Sequence, residues 1–165
     1  MTNFAKLPVM LMMACVTPAM AEEADALHET TGCRDVRGTL VEDLTTVGCK
    51  PGQPDCFVGE VRAHGLRGTT NFRSDGSIAG PPNAAPGWYT YSGIFEYTTR
   101  RGTIVTRETG VVHPVPGHAE SGAVTAHQQI LSGTGAYANA TGHFFVSGFN
   151  INGHVETTVI GRVCR

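Results

Sequence analysis

The chain has 165 residues, with 12 Lys and Arg against 14 Asp and Glu, seven His, and only 16% charged residues. That length suits one domain with one packed core. The near-neutral balance excludes a strongly basic nucleic-acid platform and an acidic tail protein, so no nucleic-acid partner is expected. Glycine is abundant at 21 residues and lysine is confined to Lys6 and Lys50. After residue 21 there are five Leu against 14 Val and 18 Thr, which favours strands over helices.

In chain order, residues 1–21 carry one cation, Lys6, then the apolar run Leu7–Thr17 and the small-residue site Ala19-Met20-Ala21. This is the pattern of a secretory signal peptide cleaved near Ala21, which implies a secreted or periplasmic protein. Cys15 inside the run offers lipoprotein acylation as the alternative, and Ala19-x-Ala21 favours ordinary cleavage. The run is too short to span a bilayer and no later segment qualifies, so no membrane span is expected. Residues 22–32 are polar and acidic and read as a flexible leader; the folded domain is expected over 33–165.

From Cys33 onward the periodicity is two. Cys33–Leu44 places Val36, Gly38, Leu40 and Leu44 on one side and Asp35, Arg37, Thr39 and Asp43 on the other. Cys56–Leu66 alternates Phe57, Gly59, Val61 and Ala63 against Glu60, Arg62 and His64, the pattern of a half-buried strand. A strand over Arg67–Phe72 is expected to end at Ser74-Asp75-Gly76, with a Pro- and Gly-rich loop over Ser77–Gly87. Trp88–Arg100 and Thr103–His113 read as a hairpin turning at Arg101-Gly102, followed by a loop over His113–His118. Ala123–Leu131 is a further strand, and Gly142–Asn150 with His154–Cys164 a final hairpin around Asn152-Gly153. Seven or eight short strands without a helix indicate a sandwich or a barrel.

Export and an even count of four remaining cysteines argue for two disulfides, among three pairings. Cys49–Cys56 would close a loop of turn residues, Lys50-Pro51-Gly52-Gln53-Pro54-Asp55. Cys33–Cys164 would join the first strand to the last. Such a staple between chain ends favours a single antiparallel closed barrel of about eight strands over a sandwich, and closure also removes exposed sheet edges.

The segment Ser132-Gly133-Thr134-Gly135-Ala136-Tyr137-Ala138-Asn139-Ala140-Thr141-Gly142 resembles the Gly-x-Gly-x-Tyr/Phe-x-x-Ala-x-Gly signature of the allene oxide cyclase-like barrels, which include dirigent proteins. The closing Ile160-Gly161-Arg162 is similar too. The resemblance covers about eleven residues closely and Trp88–Arg165 loosely. It implies an eight-stranded antiparallel barrel with a central cavity, usually in a homo-oligomer. Read physically, Gly133 and Gly135 suit a tight connection, Tyr137 covers it, and Ala140 and Gly142 admit a neighbouring strand. No lysine follows the glycines as a phosphate loop requires. Asn139-Ala140-Thr141 is also an N-glycosylation sequon.

The hairpin supplies the candidate site. A turn at Arg101-Gly102 pairs Phe95 with Glu108, Tyr91 with Val112 and Glu96 with Arg107. One side then carries Tyr89, Tyr91, Phe95 and Tyr97 as ligand-binding candidates with Glu108 among them; the other is a solvated face with a Glu96–Arg107 ion pair. A carboxyl in an apolar lumen has its pKa raised and can donate or accept protons near neutral pH, which makes Glu108 the candidate catalytic residue. No His-x-His or His-Glu-x-x-His spacing occurs, so no metal site or cofactor is expected. His113 and His118 flank one loop, and His127 falls on an exposed strand position. The sequence therefore points to a barrel that binds a small apolar molecule in its lumen. The alternatives are an isomerase or cyclase working in that cavity, and a non-catalytic envelope interaction module with a filled interior.

Overall fold

The computed structural model describes residues 32–81, 87–115 and 118–165; the expected signal peptide with Cys15, and the expected leader up to residue 31, lie outside them. Eight strands follow in order: β1 Cys33–Thr45, β2 Cys56–His64, β3 Leu66–Ala79, β4 Tyr89–Thr99, β5 Gly102–Val115, β6 His118–Gly133, β7 Thr141–Ile151 and β8 His154–Cys164. Each pairs antiparallel with the next, and β8 returns to β1 along Cys33↔Cys164 through Asp43↔His154, closing the barrel. Both expected disulfides are present, Cys33–Cys164 and Cys49–Cys56. Among the described residues no helix is long and apolar enough to cross a membrane.

Alternation sends one side of every strand inward. Val36 and Leu40 on β1, Val61 and Ala63 on β2, Phe95 and Tyr97 on β4 and Phe144 and Val146 on β7 are all buried. Their neighbours Arg37, Thr39, Arg62, Thr98, Phe145 and Ser147 are exposed. Leu44 keeps the inward parity of β1 but lies beyond the packed layers and is exposed. Each large buried apolar side chain contributes about 1.5–3 kcal/mol relative to exposure, so a continuous interior layer outweighs the weak strand propensity of the many glycines.

The two ends of the barrel differ. The β2–β3, β4–β5 and β6–β7 connections lie at one end with the start of β1 and the end of β8, where Arg165 N–H donates to the Gly32 carbonyl at 3.1 Å. Here the Gly133–Gly142 segment forms a single 3-10 turn, Gly135–Tyr137, started by Gly135 at φ +57°. Tyr137 is buried and the Arg165 guanidinium lies 5.3 Å from its ring centre, so this end is sealed. The β1–β2, β3–β4, β5–β6 and β7–β8 connections rim the other end. The last of them turns at Asn152-Gly153, both at positive φ as a two-residue hairpin turn of this twist requires.

Three local expectations are corrected. Ser74-Asp75-Gly76 does not end β3: Asp75 is an extra residue, with Ser74 opposite Gly93 and Gly76 opposite Ser92, and the strand continues to Ala79. Turn chemistry serves a β-bulge there, its carboxylate held by Arg107 and Ser92. The expected His113–His118 loop is mostly strand, since β5 runs to Val115 and β6 starts at His118. The β4–β5 turn falls at Arg100-Arg101, with Thr99 opposite Gly102, so Phe95 faces Thr106 and Tyr91 faces Gly110. Gly102 is used differently from a turn residue: at φ +133° it lets the 134–135 segment approach so closely that a Cβ would lie 2.0 Å from the Thr134 carbonyl oxygen. The expected Glu96–Arg107 ion pair is consequently absent; Glu96 pairs with Lys50, and Arg107 with Asp75.

Candidate functional site

The register differs from expectation by two residues, so every inward side chain keeps its side. Glu108 is inside the barrel and only 4% exposed. It sits opposite Gly93, which carries no side chain to compete for the space. Tyr91 O–H donates to Glu108 Oε1 at 2.8 Å, and Gln128 Nε2 donates to Oε2 at 2.5 Å. Gln128 Oε1 in turn accepts from Tyr97 O–H at 2.5 Å. Burial pushes the Glu108 pKa up, against the opposing effect of the donors Gln128 and Tyr91.

A second carboxyl shares the interior. Glu42 on β1 is 5% exposed, and Thr70 Oγ1 donates to its Oε1 at 2.8 Å. Gly59 across the strand pair makes room for it, since a Cβ there would lie 1.9 Å from the Val41 carbonyl oxygen and 2.8 Å from Glu42 Cγ. Desolvation pushes the Glu42 pKa up to about 8; the Thr70 bond lowers it and the neighbouring Glu108 raises it further. At neutral pH Glu42 is chiefly a neutral acid, able to donate a proton.

Both carboxyls line a cavity of about 250 Å³ that opens toward the rimmed end. Its walls include Leu40, Phe57, Phe72, Tyr89, Tyr91, Phe95, Val112, Val124, Val146 and Val155, with Ser74, Ser77, Asn150 and Thr157 as further polar groups. Phe72 is the hub of the aromatic wall, with ring centres 6.2 Å from Phe57, 5.7 Å from Tyr91 and 5.8 Å from Phe95. Comparison with family models, curated proteins and solved structures finds no match to this chain.

Of the four aromatic candidates, Tyr89, Tyr91 and Phe95 reach the cavity. Tyr97 does not line it: fully buried, it packs against Phe95 at 4.7 Å and Phe144 at 5.4 Å, and fixes the amide of Gln128. The cavity thus occupies the open half of the barrel while Tyr97, Phe144 and Ile104 fill the sealed half. His113 stacks on Trp88 at 4.1 Å near the rim, His118 is paired with Val115, and His127 is exposed. Among the described residues no group of three or more His, Cys, Asp or Glu is placed to hold a metal ion.

Glu42, Thr70 and Gln128 belong to no motif, and only their parity marks them. Glu42 shares parity with Val36 and Leu40, and Gln128 with Val124, Ala126 and Ile130. A polar residue on an otherwise apolar strand face marks a lumen group.

Tyr91 holds Glu108 only because Gly110 faces it, a Cβ at Gly110 coming within 2.5 Å of the Tyr91 hydroxyl. Gly110→Ala is therefore expected to displace the ring, break the Tyr91–Glu108 bond and lower stability by about 1–2 kcal/mol in urea titration. Unchanged stability with the bond intact in a crystal structure of the variant would contradict this packing.

Proposed function

We propose that the chain is an exported, disulfide-stapled barrel that binds a small, largely apolar molecule in the open half of its lumen. The observation that carries this reading is the apolar-walled cavity with polar groups restricted to a few positions, the usual composition of a small-molecule site. Two disulfides are compatible with an oxidising compartment, in keeping with the signal-peptide pattern. The eight-stranded antiparallel barrel is the architecture that the resemblance to allene oxide cyclase-like proteins implies. An interaction module with a filled interior is less supported, because the open half is not filled.

A specific observation favours isomerase or cyclase chemistry as the second reading. Glu42 and Glu108 both border the cavity, so a bound substrate would meet a proton donor, Glu42, beside a second desolvated carboxyl. Only turnover separates binding from catalysis.

Native mass spectrometry of gently purified protein and NMR titration with indole and 2-phenylethanol test the binding reading. Shifts are expected at Tyr91, Val124 and Val146, and the cavity-filling variants Val124→Phe and Val155→Phe should weaken binding about tenfold or more while keeping the sheet circular dichroism. Ligand shifts confined to the outer wall, or equal binding by folded cavity-filling variants, would overturn it.

A further inference from the structure

We propose that the lumen site selects a small organic ammonium ion, its aryl or alkyl body against the aromatic wall and its charged head at Glu42. The inference rests on the reading that the lumen takes a small molecule, and concerns which class.

The described residues that line the cavity include two carboxylic acids, Glu42 and Glu108, and among them there is no Lys, Arg or His. An organic anion would find no counter-charge among these residues. Glu108 has both oxygens occupied, by Tyr91 and Gln128. Glu42 is different: Oε1 accepts from Thr70, whereas Oε2 has no hydrogen-bond partner among the described residues. No buried side-chain oxygen among them is both sealed and unpartnered, so Oε2 retains contact with the cavity that Glu42 lines. Once its proton is released, a carboxylate held in a dry cavity with one oxygen uncommitted is completed by a charged donor. A neutral alcohol supplies a weaker one.

The wall suits the same ligand. Phe57, Phe72, Tyr91 and Phe95 form a continuous cluster beside the acids, and the faces of such rings attract cations. The 250 Å³ volume equals roughly eight water molecules at about 30 Å³ each. That matches an arylalkylamine and is too small for a long-chain lipid.

The groups around Glu42 make the choice legible in protons. It is paired across β2 with Gly59 and across β8 with Val155, hydrogen-bonded to Thr70 of β3, and within electrostatic reach of Tyr91, Tyr97 and Glu108. The described residues lining this cavity include no cation to hold Glu42 ionised. The ammonium ion enters with its proton, the Glu42 carboxyl gives its own to solvent, and an ion pair remains. The uptake of one amine thus releases up to one proton, and charge balances.

Isothermal titration calorimetry of the full-length mature protein at pH 7, in two buffers of different ionisation enthalpy, tests this with 2-phenylethylammonium, 2-phenylethanol and 3-phenylpropionate. The amine is expected to bind about tenfold or more tighter than the alcohol, and the carboxylate about tenfold weaker than the alcohol. Only the amine should release protons. Glu42→Gln should erase the amine preference and the proton release, so that the amine binds no tighter than the alcohol to the variant. Alcohol binding without amine preference, or a preference that survives Glu42→Gln, overturns the ammonium inference alone. Absence of binding by all three compounds overturns both it and the lumen-binding reading.

Discussion

Glu42→Gln is expected to become more stable than the unmodified protein as pH rises from 5 to 8. The Glu42 carboxyl has a pKa of about 8 when folded and an ordinary carboxylate value of 4.5 when unfolded. Between those values the unfolded chain releases a proton that the folded chain keeps. The contribution to stability is therefore complete below pH 4.5 and is lost as pH rises through 8, at about 1.4 kcal/mol per pH unit within the window. The full loss approaches about 5 kcal/mol as an upper limit. Glutamine has no proton to lose and keeps an acceptor for Thr70 Oγ1. The variant should match the parent near pH 5 and exceed it by about 3 kcal/mol near pH 8, read from guanidinium midpoints. Glu108 and His154 also have raised pKa values, the latter through Asp43 and Glu156, and tilt both profiles in the same direction. The difference between the profiles therefore isolates Glu42. Parallel profiles would mean that Glu42 is ionised in the folded protein at neutral pH.

Removing the Cys33–Cys164 staple as Cys33→Ser with Cys164→Ser is expected to cost about 5 kcal/mol, because the bond closes a loop with a sequence separation of 131. The same estimate for Cys49–Cys56, separated by only seven, is about half as large, near 2.4 kcal/mol. In a domain of this size the first loss lowers the unfolding midpoint by about 15 °C. Calorimetry on the two paired-serine variants gives the order directly. A larger loss from the short loop would show that the staple adds little to a β1–β8 seam already zipped by pairing.

The fold was legible in sequence because period-two alternation and a cysteine near each end of the domain both constrain it. Alternation assigns each residue to a side, and a register shift of two leaves that assignment intact, so Glu108 falls on the inward side whichever of the two partners it faces. Height along the barrel is not encoded this way. Tyr97 has the parity of Tyr91 yet lies below the cavity, because the layer a residue occupies depends on the stagger of all eight strands. Glu42 was missed for another reason: with Asp35, Arg37 and Asp43 facing out, an acid at position 42 reads as more surface charge unless its parity is followed strictly. Asp75 and Gly102 show the same ambiguity in turn residues, which serve bulges and close approaches as well as reversals.

Both ends of the barrel chain, Gly32 and Arg165, meet at the sealed pole. A protein immobilised or fused through its C-terminus would therefore hang from that pole with its entrance turned toward the solution. Such a geometry suits surface-based ligand capture, since the attachment point and the opening are separated by the full length of the strands.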